Sequence, residues 1–159
     1  VGFRCLGSET IRRIKNHAPS NRSKMSRVVL DTNSLIQSLP VRSVYNRAWK
    51  SFLDGTNILC VTNEILAEYE EIIERLAGED VAKLTLDLIV SNPFTQFFVP
   101  HYQFNLITSD PDDNKFVDCA IVANAKFIVT EDHHFDILKQ YDFPKVDVIR
   151  LDDFLQSLL

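Results

Sequence analysis

The chain has 159 residues, 45% of them hydrophobic and 25% charged, with a formal net charge of −5 at neutral pH. That length and balance fit one domain with a sizeable buried core, and no apolar run nears the roughly 18 residues that a membrane-spanning helix needs. An acidic body argues against broad electrostatic binding of nucleic acid. It does not argue against a nuclease, whose cation-holding carboxylates add to the acid count.

The charge is unevenly spread. Residues 1–24 carry six basic side chains (Arg4, Arg12, Arg13, Lys15, Arg22, Lys24) and one acid, Glu9, a net of +5, while the remaining 11 basic and 21 acidic residues leave −10. Folding is expected to begin near Met25, so that residues 1–24 form a basic extension outside the fold and 25–159 the folded domain. The alternative for the extension is a basic arm that touches RNA or a partner. It lacks the apolar centre of a secretory signal. Of the three cysteines, Cys60 and Cys119 sit in apolar runs and read as reduced core residues, and none has metal-ligand spacing. A cytoplasmic location without a membrane anchor is the expectation.

The first strand is Arg27-Val28-Val29-Leu30, three consecutive apolar residues that suit burial on both faces, and it stops at Asp31-Thr32-Asn33. A short helical segment over Ser34–Leu39 is broken by Pro40, and a helix over Val44–Leu53 is ended by Gly55. Asn57–Val61 reads as the second strand. Thr62 then serves as N-cap for a helix over Asn63–Ala77 that Gly78 stops, with a second amphipathic helix over Glu79–Ser91. Gln96–Val99 is the third strand. The polar loop Ser109–Asn114 leads into a helix over Lys115–Asn124, and a fourth strand follows over Lys126–Val129. A short helix over His134–Gln140, a strand over Val146–Arg150 and a closing helix over Asp152–Leu158 complete the chain. Strands alternating with helices predict an α/β fold with a mostly parallel sheet covered on both faces.

Four acidic stations stand out against this frame. Asp31 follows the first strand, and Asp132 follows the fourth in Phe127-Ile128-Val129-Thr130-Glu131-Asp132. Glu68 lies on a helix with apolar Ile65 and Ile72 at i−3 and i+4, hence near its buried face. The third station is Asp112-Asp113-Asn114 with Asp118, where Asn114 and Asp118 share a helix face. An α/β sheet places its chemistry past the carboxyl ends of its strands. Carboxylates pressed together there need a cation, and Mg2+ and Mn2+ prefer such oxygen ligands. The bland alternatives are ordinary ones. Asp31 caps a turn, Glu68 is a half-exposed helix acid, Asp112 and Asp113 are turn and cap residues, and His133-His134 is a solvated helix start. Lys115 and Lys126 are surface lysines, and Trp49 with Phe94, Phe97 and Phe98 packs in the core rather than stacking bases.

Four segments in this order resemble the PIN-domain nucleases: the strand ending in Asp31-Thr32-Asn33, the run Ile65–Ile72 around Glu68, Asp110–Ala120, and Ile128–Asp132. The likeness runs from Met25 to the C-terminus and is strongest to the toxin branch, related to VapC-like ribonuclease toxins. It implies a three-layer α/β/α fold with about five strands and an Mg2+- or Mn2+-dependent endonuclease of single-stranded RNA. It also implies a cognate antitoxin and a homodimer. Asp31, Glu68 and Asp132 match three of the family's acids. The family spacing puts the remaining one at Asn114, where many members carry Asp. Asn114 can ligate through its carbonyl oxygen, Asp118 one turn later can supply the carboxylate, and Asp113 is next in line.

On that resemblance Asp31, Asp118 and Asp132 hold the ion, with Glu68 a direct or water-mediated ligand. Asn33, Ser34, Asp113 and Thr130 orient carboxylates or water. Water activated at the ion attacks the phosphorus, leaving a 5′-phosphate and a 3′-hydroxyl. The rival reading is a catalytically silent PIN-like module that binds RNA or protein, which Asn114 in place of an acid favours. A phosphatase acting on small phosphate esters is disfavoured, since no phosphate-cradling glycine loop is present.

Overall fold

The apolar run after Met25 becomes the centre of the sheet. In the computed structural model, which describes residues 25–159, β1 spans Ser26–Leu30 and its Val28, Val29 and Leu30 are fully buried. Each such side chain contributes roughly 1.5–3 kcal/mol of burial free energy. β2 (Asn57–Val61) is buried along its whole length. The basic extension lies outside the described residues.

With β3 (Thr95–Phe97), β4 (Phe127–Val129) and β5 (Val148–Ile149) these strands form one five-stranded sheet in the order β3-β2-β1-β4-β5. Every pairing is parallel, and Val28 pairs with Leu59 on one side and Phe127 on the other. The chain lays down β1, β2 and β3 outward in one direction, then returns to add β4 and β5 beyond the opposite edge of β1. The order therefore reverses between β1 and β4. At such a switch point the loops leaving the two strands diverge and open a crevice at the carboxyl ends.

Among the described residues six helices cover the sheet: α1 (Thr32–Ser38), α2 (Asn46–Leu53), α3 (Asn63–Ala77), α4 (Glu79–Ser91), α5 (Asn114–Ala123) and α6 (Leu151–Ser157). α3 packs on α4 and α5, α5 lies across β1, β2 and β4, and α2 meets α6 through the stacked rings of Phe52 and Phe154, 5.9 Å apart. The result is the expected α/β/α sandwich. Among the described residues no helix is long and apolar enough to cross a membrane.

Caps behave as read. The Thr62 hydroxyl accepts from Ile65 N–H at 3.2 Å, and Gly78 ends α3 with a φ of +95° that favours glycine. Gly55 also has positive φ, +81°, and a Cβ there would sit 2.6 Å from the Phe94 ring, so Phe94 packs down on bare backbone.

Several boundaries differ from expectation. Asn46 N–H bonds the Ser43 carbonyl at 3.1 Å within a turn that starts at Pro40, so α2 begins at Asn46 and Val44 is left 76% exposed. β3 starts at Thr95 and ends at Phe97. The next residue still donates to the Val61 carbonyl at 2.9 Å, but Pro100 follows and has no N–H to extend the ladder. Phe97 is half-exposed on this edge strand rather than core. β5 is the two-residue pair Val148–Ile149, and His133–Gln140 is a 3₁₀ segment.

Candidate metal centre at the strand switch point

The site is assembled from the two loops that diverge at the switch point. Asp31 is the first residue past β1, 5% exposed, with extended backbone at the N-cap of α1. Its side chain makes no capping bond. Instead Oδ2 accepts from the Thr130 hydroxyl at 2.8 Å. The same hydroxyl oxygen accepts from Asp132 N–H at 3.0 Å. Thr130, fully buried at the end of β4, thus fixes one acid by its side chain and the next by its backbone. That double use is the physical content of the Val129-Thr130-x-Asp132 pattern.

Glu68 arrives from α3. Its Oε1 accepts from the Thr32 hydroxyl at 2.5 Å, and its Oε2 pairs with Lys115 Nζ from α5. Lys115 also donates to the Asp112 carbonyl at 2.9 Å and is largely buried, so it is a structural cation and not a surface lysine. The next residue on α3, Tyr69, donates its hydroxyl to the Leu30 carbonyl at 2.5 Å. Helix α3 therefore holds the backbone before Asp31 and the side chain after it.

The third station differs from expectation. A 3₁₀ turn over Pro111–Asp113, capped by the Asp110 carboxylate on Asp112 N–H at 3.2 Å, precedes α5. Asn114 is 6% exposed and its amide is used at both ends. Oδ1 accepts from Ile107 N–H at 2.9 Å, and Nδ2 donates to the carbonyls of Ile107 and Pro111 at 2.7 and 3.1 Å. It fastens the loop after β3 to α5 and is not aimed at the acids. Asp118 sits on the same face, accepts from Phe104 N–H at 3.0 Å, and lines a neighbouring groove with Glu64. In this segment the acid whose charge couples to Asp31 and Asp132 is Asp113. Its Oδ2 is buried without a hydrogen-bond partner, and His134 Nδ1 stands 3.5 Å away.

Electrostatics ties these acids together. Burial pushes the Asp31 carboxyl up to about 6. The Thr130 hydroxyl and Thr32 N–H oppose the rise, and the charges of Glu68 and Asp132 add to it. Asp113 is also pushed up to about 6, by burial and then by Asp110, Asp132 and Asp31, with His134 opposing. Asp118 is raised by burial and by Glu64, against the Phe104 bond. The carboxylate it feels is Glu64, not those of Asp31, Asp113 or Asp132. Asp110, Asp113 and His134 offer ligand atoms all within 4.8 Å of one another.

Of the supporting residues, Thr130 orients Asp31 as described. Ser34 is fully buried with an unpartnered Oγ, and Asn33 is exposed. Sequence reasoning missed Thr32, Lys115, Asp110 and His134. Of the last two residues of the His pair, His133 is exposed and turned to Asp136 at 3.1 Å, whereas His134 Nδ1 lies 3.3, 3.5 and 3.9 Å from Asp132, Asp113 and Asp110. Only the spacing Asp132-x-His134, which lets the Asp132 carboxylate cap His134 N–H at 2.8 Å, hinted at this.

Fold and site together define a parallel α/β protein with a carboxylate cluster at its switch point. The PIN-domain family profile matches residues 27–134, and the chain belongs to that family. Among solved structures, VapBC2 from Rickettsia felis, bound to a DNA fragment from its promoter, is similar in fold with a TM-score of 0.55 and 16% identity. The match covers 78% of this chain and 98% of that one. The PIN domain endonuclease Utp24 aligns less well, with a TM-score of 0.44 and 16% identity over 78% of this chain and 84% of its own. No curated protein matches by sequence.

Proposed function

We propose that this chain is a divalent-metal-dependent endoribonuclease that hydrolyses phosphodiester bonds of single-stranded RNA. The observation that carries the reading is the pair Asp31 and Asp113. Both are forced up to about 6, and Asp113 has an oxygen that no donor satisfies. Carboxylates that repel one another, one of them deeply buried, fit an oxygen-preferring cation such as Mg2+ or Mn2+. Asp31, Asp113 and Asp132 would hold the ion, with Glu68 reaching it directly or through water. Once bound, such an ion supplies charge neutralisation at a phosphate and activation of water.

The chain's own residues set the rest. Thr130 keeps the Asp31 carboxylate and the Asp132 backbone in one register. Thr32 and Lys115 engage both oxygens of Glu68 and set its orientation beside Asp31. The unpartnered Ser34 hydroxyl is available to orient water. Asn114 and Asp118 serve the loop and the neighbouring groove rather than the ion, so the Asn at position 114 does not argue for a silent site.

The likeness to VapBC2 supports a toxin role with a cognate antitoxin as partner, and the proposal adds a cytoplasmic location and a homodimer. Incubating the full chain with single-stranded RNA and Mn2+, with and without chelator, tests the activity. Cleavage that stops with chelator is expected. RNA left intact at every metal concentration, together with no thermal stabilisation by Mn2+, would overturn the reading in favour of a silent binding module.

A further inference from the structure

A groove of about 220 Å³ opens beside the acid cluster, between the start of α3, the loop after β3 and α5. Lys115 lines it and also pairs with Glu68, so one residue marks the wall common to both sites. We propose that this groove is a subsite for a single unpaired nucleobase of the substrate, one that presents amino and imino donors, guanine above all.

The proposal rests on the ribonuclease reading and on four features of the groove. Its volume is below the roughly 300 Å³ where sites for drug-sized molecules begin, which suits one ring system rather than a dinucleotide. Phe98 and Pro100 supply an apolar wall on which a flat ring can lie. Glu64 and Asp118 supply acceptors only, and Asn63 and Gln103 supply amides that both donate and accept. Asp118 is 7% exposed and held by Phe104 N–H, so the loop that closes the groove also fixes its acceptor.

This donor set selects against phosphate. Two carboxylates repel it, and the one cation in the wall, Lys115, is already engaged with Glu68 and the Asp112 carbonyl. It selects for the Watson–Crick edge of guanine, whose N1–H and N2–H₂ match the Glu64 carboxylate in a forked pair, Asp118 being engaged by Phe104 N–H, while O6 takes an amide N–H. Uracil offers a single N–H between two acceptors, so it cannot form the fork and brings a carbonyl oxygen against the carboxylate. A forked pair of this kind discriminates by roughly 10- to 100-fold.

The test uses the full chain with Mn2+ and four RNA oligomers, one all-uridine and three carrying a single G, A or C. Cleavage rate and position are read, together with anisotropy of the same oligomers on Asp31→Asn. The expected result is a G-to-U ratio of about 10 or more in both rate and binding, with cuts clustered at the G. In Glu64→Gln that ratio falls at least threefold; a folding defect would lower all four rates alike. Four oligomers cut at rates within threefold of each other, or a ratio unchanged in Glu64→Gln, overturn the subsite alone. No oligomer bound or cut overturns the ribonuclease reading and the subsite with it.

Discussion

Asp132 and Asp136 are four residues apart in the chain and stand in opposite electrostatic worlds. Asp136 faces two cations, Arg150 Nη2 at 3.2 Å and Lys139 Nζ at 3.3 Å, and has His133 Nδ1 at 3.1 Å. Its carboxyl is held below the usual range, first by the His133 bond and then by Lys139 and Arg150, against the small effect of burial. On the other side of Asp132, Asp31 and Asp113 are pushed up, and among the described residues no lysine or arginine pairs with either. Arg150 bridges the two regions, since it also donates to the Thr130 carbonyl at 3.1 Å. The two regions differ in whether lysine or arginine stands against their acids. Asp136 closes a structural network that needs nothing more. Asp31 and Asp113, on the proposed reading, would find their cation in a bound metal ion.

The sharpest way to break this contrast is to neutralise one acid from each region. Partners that merely orient a metal ligand cost 10–100-fold when removed, so Asp31→Asn is expected to lower Mn2+-supported RNA cleavage by at least about 100-fold. Equal losses in Asp31→Asn and Asp136→Asn would erase the distinction.

The pH dependence of stability follows next. Asp31 rises from 3.8 to about 6, so the folded protein holds this proton more tightly than the unfolded chain does. Its contribution is full below about pH 4 and is lost as pH rises through about 6, a change of roughly 3 kcal/mol for this one group. Asp136 is shifted the other way, and its smaller contribution is lost as pH falls. Melting curves of the metal-free protein should show the switch-point loss between pH 4 and 7. Saturating Mn2+ should raise the melting temperature more at pH 7 than at pH 5. A metal-induced shift of the same size at both values would count against ion binding by Asp31.

Thr130→Val tests how far the cluster depends on its fixing hydroxyl. It removes the donor to Asp31 and the acceptor for Asp132 N–H without changing shape. Mn2+ affinity, read by calorimetric titration, should fall 10–100-fold, and stability should drop by about 1–3 kcal/mol from the unpaired N–H. The smallest effect belongs to Asp136→Asn. Its exposed ion pairs carry about 0–1 kcal/mol, so its melting curve and its metal titration should both lie close to wild type.

Much of the frame was legible because single rules decided it. The buried run Val28–Leu30, the Thr62 cap and the Gly78 stop each act locally, and β2, α3 and α4 have the expected bounds. The placement of Asp31 one residue past β1 and of Asp132 three residues past β4 was legible because each lies just beyond an apolar strand. Glu68 was legible because a helix keeps its phase for four turns. The third acid was not. Asn114 and Asp118 do share a face, as four-residue spacing dictates. That face is turned to the loop after β3, which Asn114 grips through Ile107. Asp113, which ends the 3₁₀ turn over Pro111–Asp113, couples instead to Asp31 and Asp132, and that turn departs from the α-helical phase that spacing alone assumes. Lys115 and His134 were missed for a related reason. Their roles come from contacts across the fold that no local period records.

Helix α3 grips the chain on both sides of Asp31, through Tyr69 on the Leu30 carbonyl and Glu68 on the Thr32 hydroxyl. The freedom that a flexible ligand surrenders when an ion arrives has here been surrendered during folding. Capture at this position then demands little further ordering of the chain. Loosening α3 by a substitution far from any carboxylate would weaken capture without removing a single donor atom.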